Sequence, residues 1–218
     1  MTDAHFHRRG YETYLSAEGR EVRFFGVHPW QVDGTARDGE AVTEVGRMVA
    51  ADAGAGVGEI GLDRLRTRVV PDAQRAAFAA QLEMAAAAGR PVALHGAKCW
   101  GEVAKACAPF AGRIPAFLFH GFSRSAGLLP EIFAMNGYVS IGPALLNDHA
   151  VNYRELARGI PSDRLLVETD LDETADGCDR ADALRRVLCA LASLRGEEEA
   201  ALERVIDGNA LRFTEALA

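Results

Sequence analysis

The sequence predicts an α/β fold, a (β/α) barrel of parallel strands wrapped by helices, and three observations predict it. Short apolar β-type runs alternate with longer stretches of helical spacing along the chain, the pattern of parallel strands joined by helices. The length of 218 residues suits one such barrel, which occupies roughly 200–250 residues as a single domain. Strand-like runs repeatedly end in His, Glu or Asp, and barrels of this kind collect reactive groups at the carboxyl ends of their strands.

Taken in order, strands are expected at Thr2–His7, Val22–His28, Gly56–Leu62, Pro91–His95, Ala116–His120, Gly137–Gly142 and Leu165–Thr169. Gly39–Ala53 is helical because Ala41, Val42, Val45, Met48 and Val49 recur at helical spacing. Asp72–Ala88 is the clearest helix, with Phe78, Leu82 and Ala85 on one side and Gly89 to end it. Leu128–Met135, Tyr153–Ala157, Ala181–Ser193 and Glu197–Ile206 follow as helices. No linker, internal repeat or low-complexity segment interrupts them, so residues 1–218 are read as one domain. Seven strands is one short of a closed eight-stranded barrel. Only 20 residues separate His7 from His28, too few for a helix, a strand and a second helix, and Tyr11–Leu15 offers at most a short strand. The expected barrel is therefore seven-stranded or incomplete near its start.

Composition narrows the function. The hydrophobic fraction of 49% is that of an ordinary globular protein, and no apolar run approaches the roughly 18 residues of a membrane span. MTDAHFHRRG holds no apolar targeting segment, which points to the cytoplasm. Cys99, Cys107, Cys178 and Cys189 show no CxxC or metal-finger spacing and read as reduced, mostly buried side chains. The 24 basic and 31 acidic residues leave a net charge of -7, which opposes long-range attraction of a polyanion. A nucleic-acid substrate then requires metals and a few arginines to make the cleft locally positive.

The chemistry lies in six residues. His5 and His7 form a His-x-His pair, and on a strand positions i and i+2 face the same way, so both imidazoles can reach one ion. Glu59 sits mid-strand in VGEIGLD. A buried glutamate without a partner is costly, and a cation is the most economical partner. His95 ends PVALH, His120 ends AFLFH, and Asp170 ends LLVETD. Any one of these could be a hydrogen-bonded core group, but five strand ends each offering a His, Glu or Asp are poorly explained by chance. Four imidazoles and two carboxylates suffice for two divalent ions. A carboxylate can bridge two cations whereas a neutral imidazole offers one lone pair, so Glu59 is the expected bridge. His5, His7 and Asp170 are assigned to one ion, His95 and His120 to the other. The nitrogen-rich donor set suits Zn²⁺, Mn²⁺, Fe²⁺ or Ni²⁺ better than Ca²⁺, and the identity of the ion, Mg²⁺ included, stays open. Two ions roughly 3.5–4 Å apart can activate a water for a displacement, with Asp170 orienting it and taking its proton. Asp170 and Glu59 are the expected catalytic residues.

These motifs resemble, in order and over nearly the whole chain, those of the TatD family of metal-dependent deoxyribonucleases within the amidohydrolase-like barrels. TDAHFH is similar to that family's opening D-x-H-x-H, GVHPW to its G-x-H-P, and GEIGLD to its glutamate strand. QRAAFAAQLEMAAAAGRPVALH, FHGFS, GYVSIG, LLVETD and NALRF complete the series. The resemblance implies a TIM-like barrel, a pair of divalent cations, phosphodiester hydrolysis in DNA, and the same six ligands. Three departures bear on the substrate. A strand and helix between the first motif and G-x-H-P look absent. Ala97 in HGAK stands where the family commonly has arginine, with Lys98 beside it. Leu171–Arg180, reading LDETADGCDR, replaces the family's Ser-Pro continuation with a more acidic rim.

His28, Arg64, Lys98 and Ser123 are the candidate substrate contacts. Asp3 could support a ligand histidine or satisfy backbone at the start of the barrel. Arg66 could meet an anion or be solvated. Trp30 and Trp100 could stack on a base or pack, and His149 is assigned no metal role. The leading expectation is a metal-dependent hydrolase cleaving DNA. The alternative, favoured by the charge, the shortened first third and the altered rim, is a same-scaffold hydrolase of a small amide, ester, lactone or phosphate. A metal-binding barrel without catalysis is the third reading, and an intact donor set speaks against it. No membrane partner is expected, and the oligomeric state is not encoded in any visible pattern.

Overall fold

The computed structural model describes residues 1–8, 12–66, 71–123, 126–172 and 179–217. Eight strands form one sheet in the order β1 to β8. They are β1 (Asp3–Arg8), β2 (Glu12–Ala17), β3 (Arg20–Phe25), β4 (Gly56–Asp63), β5 (Val92–Ala97), β6 (Phe117–Phe119), β7 (Gly137–Ile141) and β8 (Leu165–Val167). Helices α1 (Ala36–Ala51), α2 (Asp72–Ala88), α3 (Trp100–Cys107), α4 (Leu129–Ala134), α5 (Val151–Gly159), α6 (Arg180–Arg195) and α7 (Glu199–Phe213) fall between or after the later strands. Among the described residues no helix is long and apolar enough to cross a membrane.

The first third corrects the expectation of seven strands. The short span between His7 and His28 holds β2, antiparallel to both β1 and β3. A parallel neighbour would need a crossover of a dozen or more residues, whereas a hairpin needs two. Ala17 pairs with Arg20, and the intervening Glu18 and Gly19 have φ of 49° and 78°. Two consecutive positive values mark the tight hairpin whose twist matches its strands. Residues 12–17 alternate half-buried and buried, as a strand with one face inward must. The missing βα unit is thus replaced by one reversed strand, and the barrel has eight strands. Helix α3, for which no element was expected, follows β5 directly.

The remaining strands are parallel from β3 to β8. All eight residues of β4 are buried, as expected of a strand covered on both faces. Helix α2 buries Phe78, Leu82 and Ala85, and its chain leaves through Gly89 at φ 63°, the left-handed cap glycine adopts most readily. Between Val57 and Ile60 the register of β4 against β5 shifts, and such a bulge re-aims side chains. It falls on Glu59. Two residues on, Gly61 (φ 149°) lies so close to β5 that a Cβ would sit 2.0 Å from the His95 carbonyl oxygen, so no side chain is admitted there.

The sheet closes between its first strand and the segment after its last. His5 O accepts from Asp170 N at 3.0 Å, and His7 N donates to Leu171 O at 2.8 Å. Below this seam, the buried Asp3 carboxylate accepts from Thr169 N (2.9 Å), Thr169 Oγ1 (2.7 Å) and Arg180 Nη1 (3.3 Å). Of the two roles considered for Asp3, it fills the backbone one. From α7, the fully buried Asn209 donates to Ser162 O and Leu165 O, both at 2.7 Å, fixing the start of β8.

Candidate active site

At the carboxyl ends of the strands His7, His28, Trp30, Glu59, His95, His120 and Asp170 line a cavity of about 250 Å³. Glu59 is its centre, delivered there by the bulge in β4. Its Oε1 lies 2.7 Å from His95 Nδ1 and 2.7 Å from His120 Nε2. Its Oε2 lies 3.3 Å from His5 Nε2 and 3.6 Å from His7 Nε2. Asp170 Oδ1 faces the same two imidazoles at 3.7 and 3.5 Å. The Nε2 atoms of His5 and His7 are 3.2 Å apart, as alternation along β1 requires. Asp170 holds the left-handed backbone conformation (φ 54°), uncommon outside glycine and most frequent in Asn and Asp, which turns its half-exposed carboxylate back over the pocket.

This constellation can hold a cation. Three sets of potential donors, His5–His120–Asp170, His5–His7–Glu59 and His28–Glu59–His95, each lie within 4.8 Å of one another. A second sign is the burial of Nδ1 of His5, His7 and His120 without any hydrogen-bond partner, unusual for atoms of this kind. The Glu59 carboxyl lies well below its usual range, because the neighbouring His120 and His5 outweigh the upward push of burial. Burial works against charge on His120, yet Glu59 and Glu168 hold it well above the usual imidazole range. Charge within the pocket is therefore concentrated and mutually dependent.

All six residues singled out as donors converge here. His5 stacks on His120 with ring centroids 3.9 Å apart and planes at 15°, so His5 shares donor sets with both His7 and His120. His95 turns its Nε2 away from the pocket, to Asp63 Oδ2 at 3.1 Å. Asp63 is fully buried, also accepts from Trp30 Nε1 at 2.7 Å, and was missed in the sequence. The criterion that found His95, a polar residue closing an apolar strand, fits Asp63 equally. Glu168 was also missed. It lies two residues before Asp170, accepts from Ser140 Oγ at 2.5 Å, and approaches His120 Nδ1 at 3.7 Å.

Of the four substrate candidates, His28 lines the cavity. It lies beyond the end of β3 as the cap of the 3-10 turn Pro29–Gln31. Its Nδ1 accepts from Trp30 N at 3.1 Å, and its Nε2 stands 3.5 Å from Glu59 Oε1. Burial lowers its pKa. A neutral imidazole whose Nδ1 accepts carries its proton on Nε2, so His28 presents an N–H to the pocket. Arg64 instead pairs with Glu102 Oε2 at 3.1 Å. Lys98 (φ 57°) and Ser123 are exposed and outside the cavity lining. Trp100 is buried against Phe119 and Phe122. Within the Leu171–Arg180 rim, residues 173–178 lie outside the described residues.

A family model described as TatD related DNase matches residues 2–215. The chain belongs to that family. Among curated TatD proteins, one described as a 3'-5' ssDNA/RNA exonuclease from Pectobacterium carotovorum subsp. carotovorum (strain PC1) is 31% identical over 197 residues, which is 86% of this chain and 75% of the relative. Another of that description, from Erwinia billingiae (strain Eb661), is 33% identical over 198 residues with the same coverage. Two solved structures share the fold. A TatD homologue from Escherichia coli K12 superposes with a TM-score of 0.69 at 23% identity, over 87% of this chain and 75% of the other. A TatD family hydrolase from Entamoeba histolytica gives 0.70 at 15% identity, over 87% and 73%. The chain is thus a TatD-family hydrolase of a metal-dependent class, built on a TIM-like barrel of eight strands.

Proposed function

We propose that residues 1–218 act as one barrel unit that hydrolyses phosphodiester bonds in single-stranded DNA, using two divalent cations held by His5, His7, Glu59, His95, His120 and Asp170. The observation that carries this reading is the convergence of five imidazoles, of His5, His7, His28, His95 and His120, on the buried carboxylate of Glu59. Nucleic acid as the substrate is supported by the curated relatives, whose description as 3'-5' ssDNA/RNA exonucleases also makes the 3' end the natural point of attack. Three described cysteines, Cys99, Cys107 and Cys189, are unpaired, which fits a reducing, cytoplasmic setting.

When bound, the cations lower the pKa of a water and draw off charge developing on the phosphoryl oxygens. The residues do the rest. Glu59 offers one oxygen toward His95 and His120 and the other toward His5 and His7, the disposition of a bridge. Asp170 orients the attacking water and accepts its proton. His28 donates its Nε2–H to a phosphoryl oxygen, where charge accumulates as the new P–O bond forms and the bond to the leaving nucleotide breaks. Glu59→Ala, with the fold retained by circular dichroism, is expected to abolish cleavage of 3'-labelled single-stranded DNA in Mn²⁺ or Zn²⁺. Full activity in that variant refutes the site.

A hydrolase of a small ester, amide or phosphate is the second reading, favoured by the size of the cavity, about 250 Å³, and by the net charge of -7. Turnover of p-nitrophenyl esters and phosphates, compared with oligonucleotides, separates the two.

A further inference from the structure

Trp30 is unusual among the large apolar side chains. It lines the catalytic cavity and yet is 46% exposed. Its polar edge is already satisfied, because Nε1 donates to the buried Asp63. Exposed indole surface beside a reaction pocket, with its N–H spent internally, has only its ring to offer a ligand.

The ring is held by a buried frame. Asp63 Oδ1 accepts from Arg66 N at 2.7 Å, so one carboxylate ties the indole to the loop after β4. Gln74, 3% exposed, accepts from Asp63 N (3.1 Å) and donates to Pro29 O (2.9 Å), joining the turn that carries Trp30 to that loop. The indole stands near-perpendicular to the rings of His28 and His95, at centroid distances of 4.9 and 6.0 Å. The Arg66 guanidinium lies over one face of the ring, 4.9 Å from its centroid, leaving the other face for a base, and no carboxylate pairs with it among the described residues. A rigid aromatic plane flanked by a cation, at the mouth of a pocket that takes a phosphodiester, matches the recognition of single-stranded nucleic acid by stacking and charge.

We propose that Trp30 and Arg66 form a base-stacking subsite, which takes the nucleobase adjoining the bond to be cleaved while the guanidinium meets its backbone phosphate. The inference rests on the nucleic-acid reading above and adds to it the place where a base is held. No sequence is read there, because any base has a π-face.

Binding of a phosphorothioate oligonucleotide of five thymidines, and of the same backbone with abasic residues, tests this in Mn²⁺. The wild-type chain is expected to prefer the base-bearing strand about tenfold, with quenching of the exposed tryptophan emission. Trp30→Leu loses the preference. Trp30→Phe keeps most of it but loses the quenching, since the ring remains and the indole is gone. Arg66→Ala weakens both strands together. Equal wild-type affinity for the two strands overturns the subsite and leaves the nucleic-acid reading standing, as does an undiminished preference in a folded Trp30→Leu. Failure of the wild-type chain to bind either strand overturns both.

Discussion

Asp3 and Thr169 are joined across the barrel seam by two hydrogen bonds, from the Thr169 amide at 2.9 Å and its hydroxyl at 2.7 Å to the two oxygens of one carboxylate. The pair sits two residues below His5 and one before Asp170. It therefore sets the height at which the first and last donors of the pocket meet. Asp3→Ala is expected to lower stability by about 2–4 kcal/mol, since two buried donors lose a charged acceptor. A melting temperature within about 1 °C of wild type contradicts this.

Asp63 holds the outer nitrogen of His95, and carboxylates in that position orient a ligand imidazole and raise its basicity. Asp63→Asn should weaken metal uptake about 10–100-fold with the fold intact, measured by titration calorimetry with Zn²⁺. Unchanged affinity would show that His95 needs no such support.

His28 Nδ1 is taken by the Trp30 amide, and its Nε2 is read as an N–H donor to substrate rather than as the ligand that its place beside Glu59 and His95 would also allow, so its loss should spare the metals and slow the reaction. His28→Asn is expected to retain full metal content and lose about 10–100-fold in kcat/KM on an oligonucleotide, the cost of one hydrogen bond to a charged group. Loss of bound metal in this variant would make His28 a ligand instead.

Much of this was legible before any coordinates. A polar residue closing an apolar run is a local pattern, and it located His95, His120 and Asp170. The helical spacing of Phe78, Leu82 and Ala85 placed α2 at its observed bounds. Three things were not legible, each for a physical reason. Residues 12–17 are alternating rather than continuously apolar, because β2 belongs to a hairpin, so the short strand expected at Tyr11–Leu15 gave no sign that it is the reversed strand completing the eight. Helix α3 spans only eight residues, Trp100–Cys107, too short for periodicity to stand out. The sharing of His5 between two donor sets depends on a ring stack with His120, a tertiary contact that no spacing encodes.

Asn209 has a purely architectural role that its motif did not disclose. Asn209→Ala leaves two buried carbonyls without donors and should cost about 2–3 kcal/mol. Chemical denaturation reads this directly, and the metal affinity of the folded variant should match wild type.

The thiols give a test by pH. Burial pushes the Cys99 thiol up to about 11 and that of Cys107 higher still, while Cys189 is exposed. Alkylation follows the thiolate, so at pH 8 iodoacetamide should modify Cys189 and spare Cys99 and Cys107, with Cys99 reacting only as the pH rises toward 11. Peptide mapping that finds Cys99 modified at pH 8 counts against its burial.

The seam carries one last consequence, for synthesis. His5 and His7 are made early, whereas Asp170 and the strand that docks it beside them follow about 160 residues later. A chain still being made, or one cut short before β8, thus has His5, His7, Glu59, His95 and His120 but lacks Asp170 and the backbone against which the first strand closes. The pocket is complete only when the segment after the last strand docks against the first.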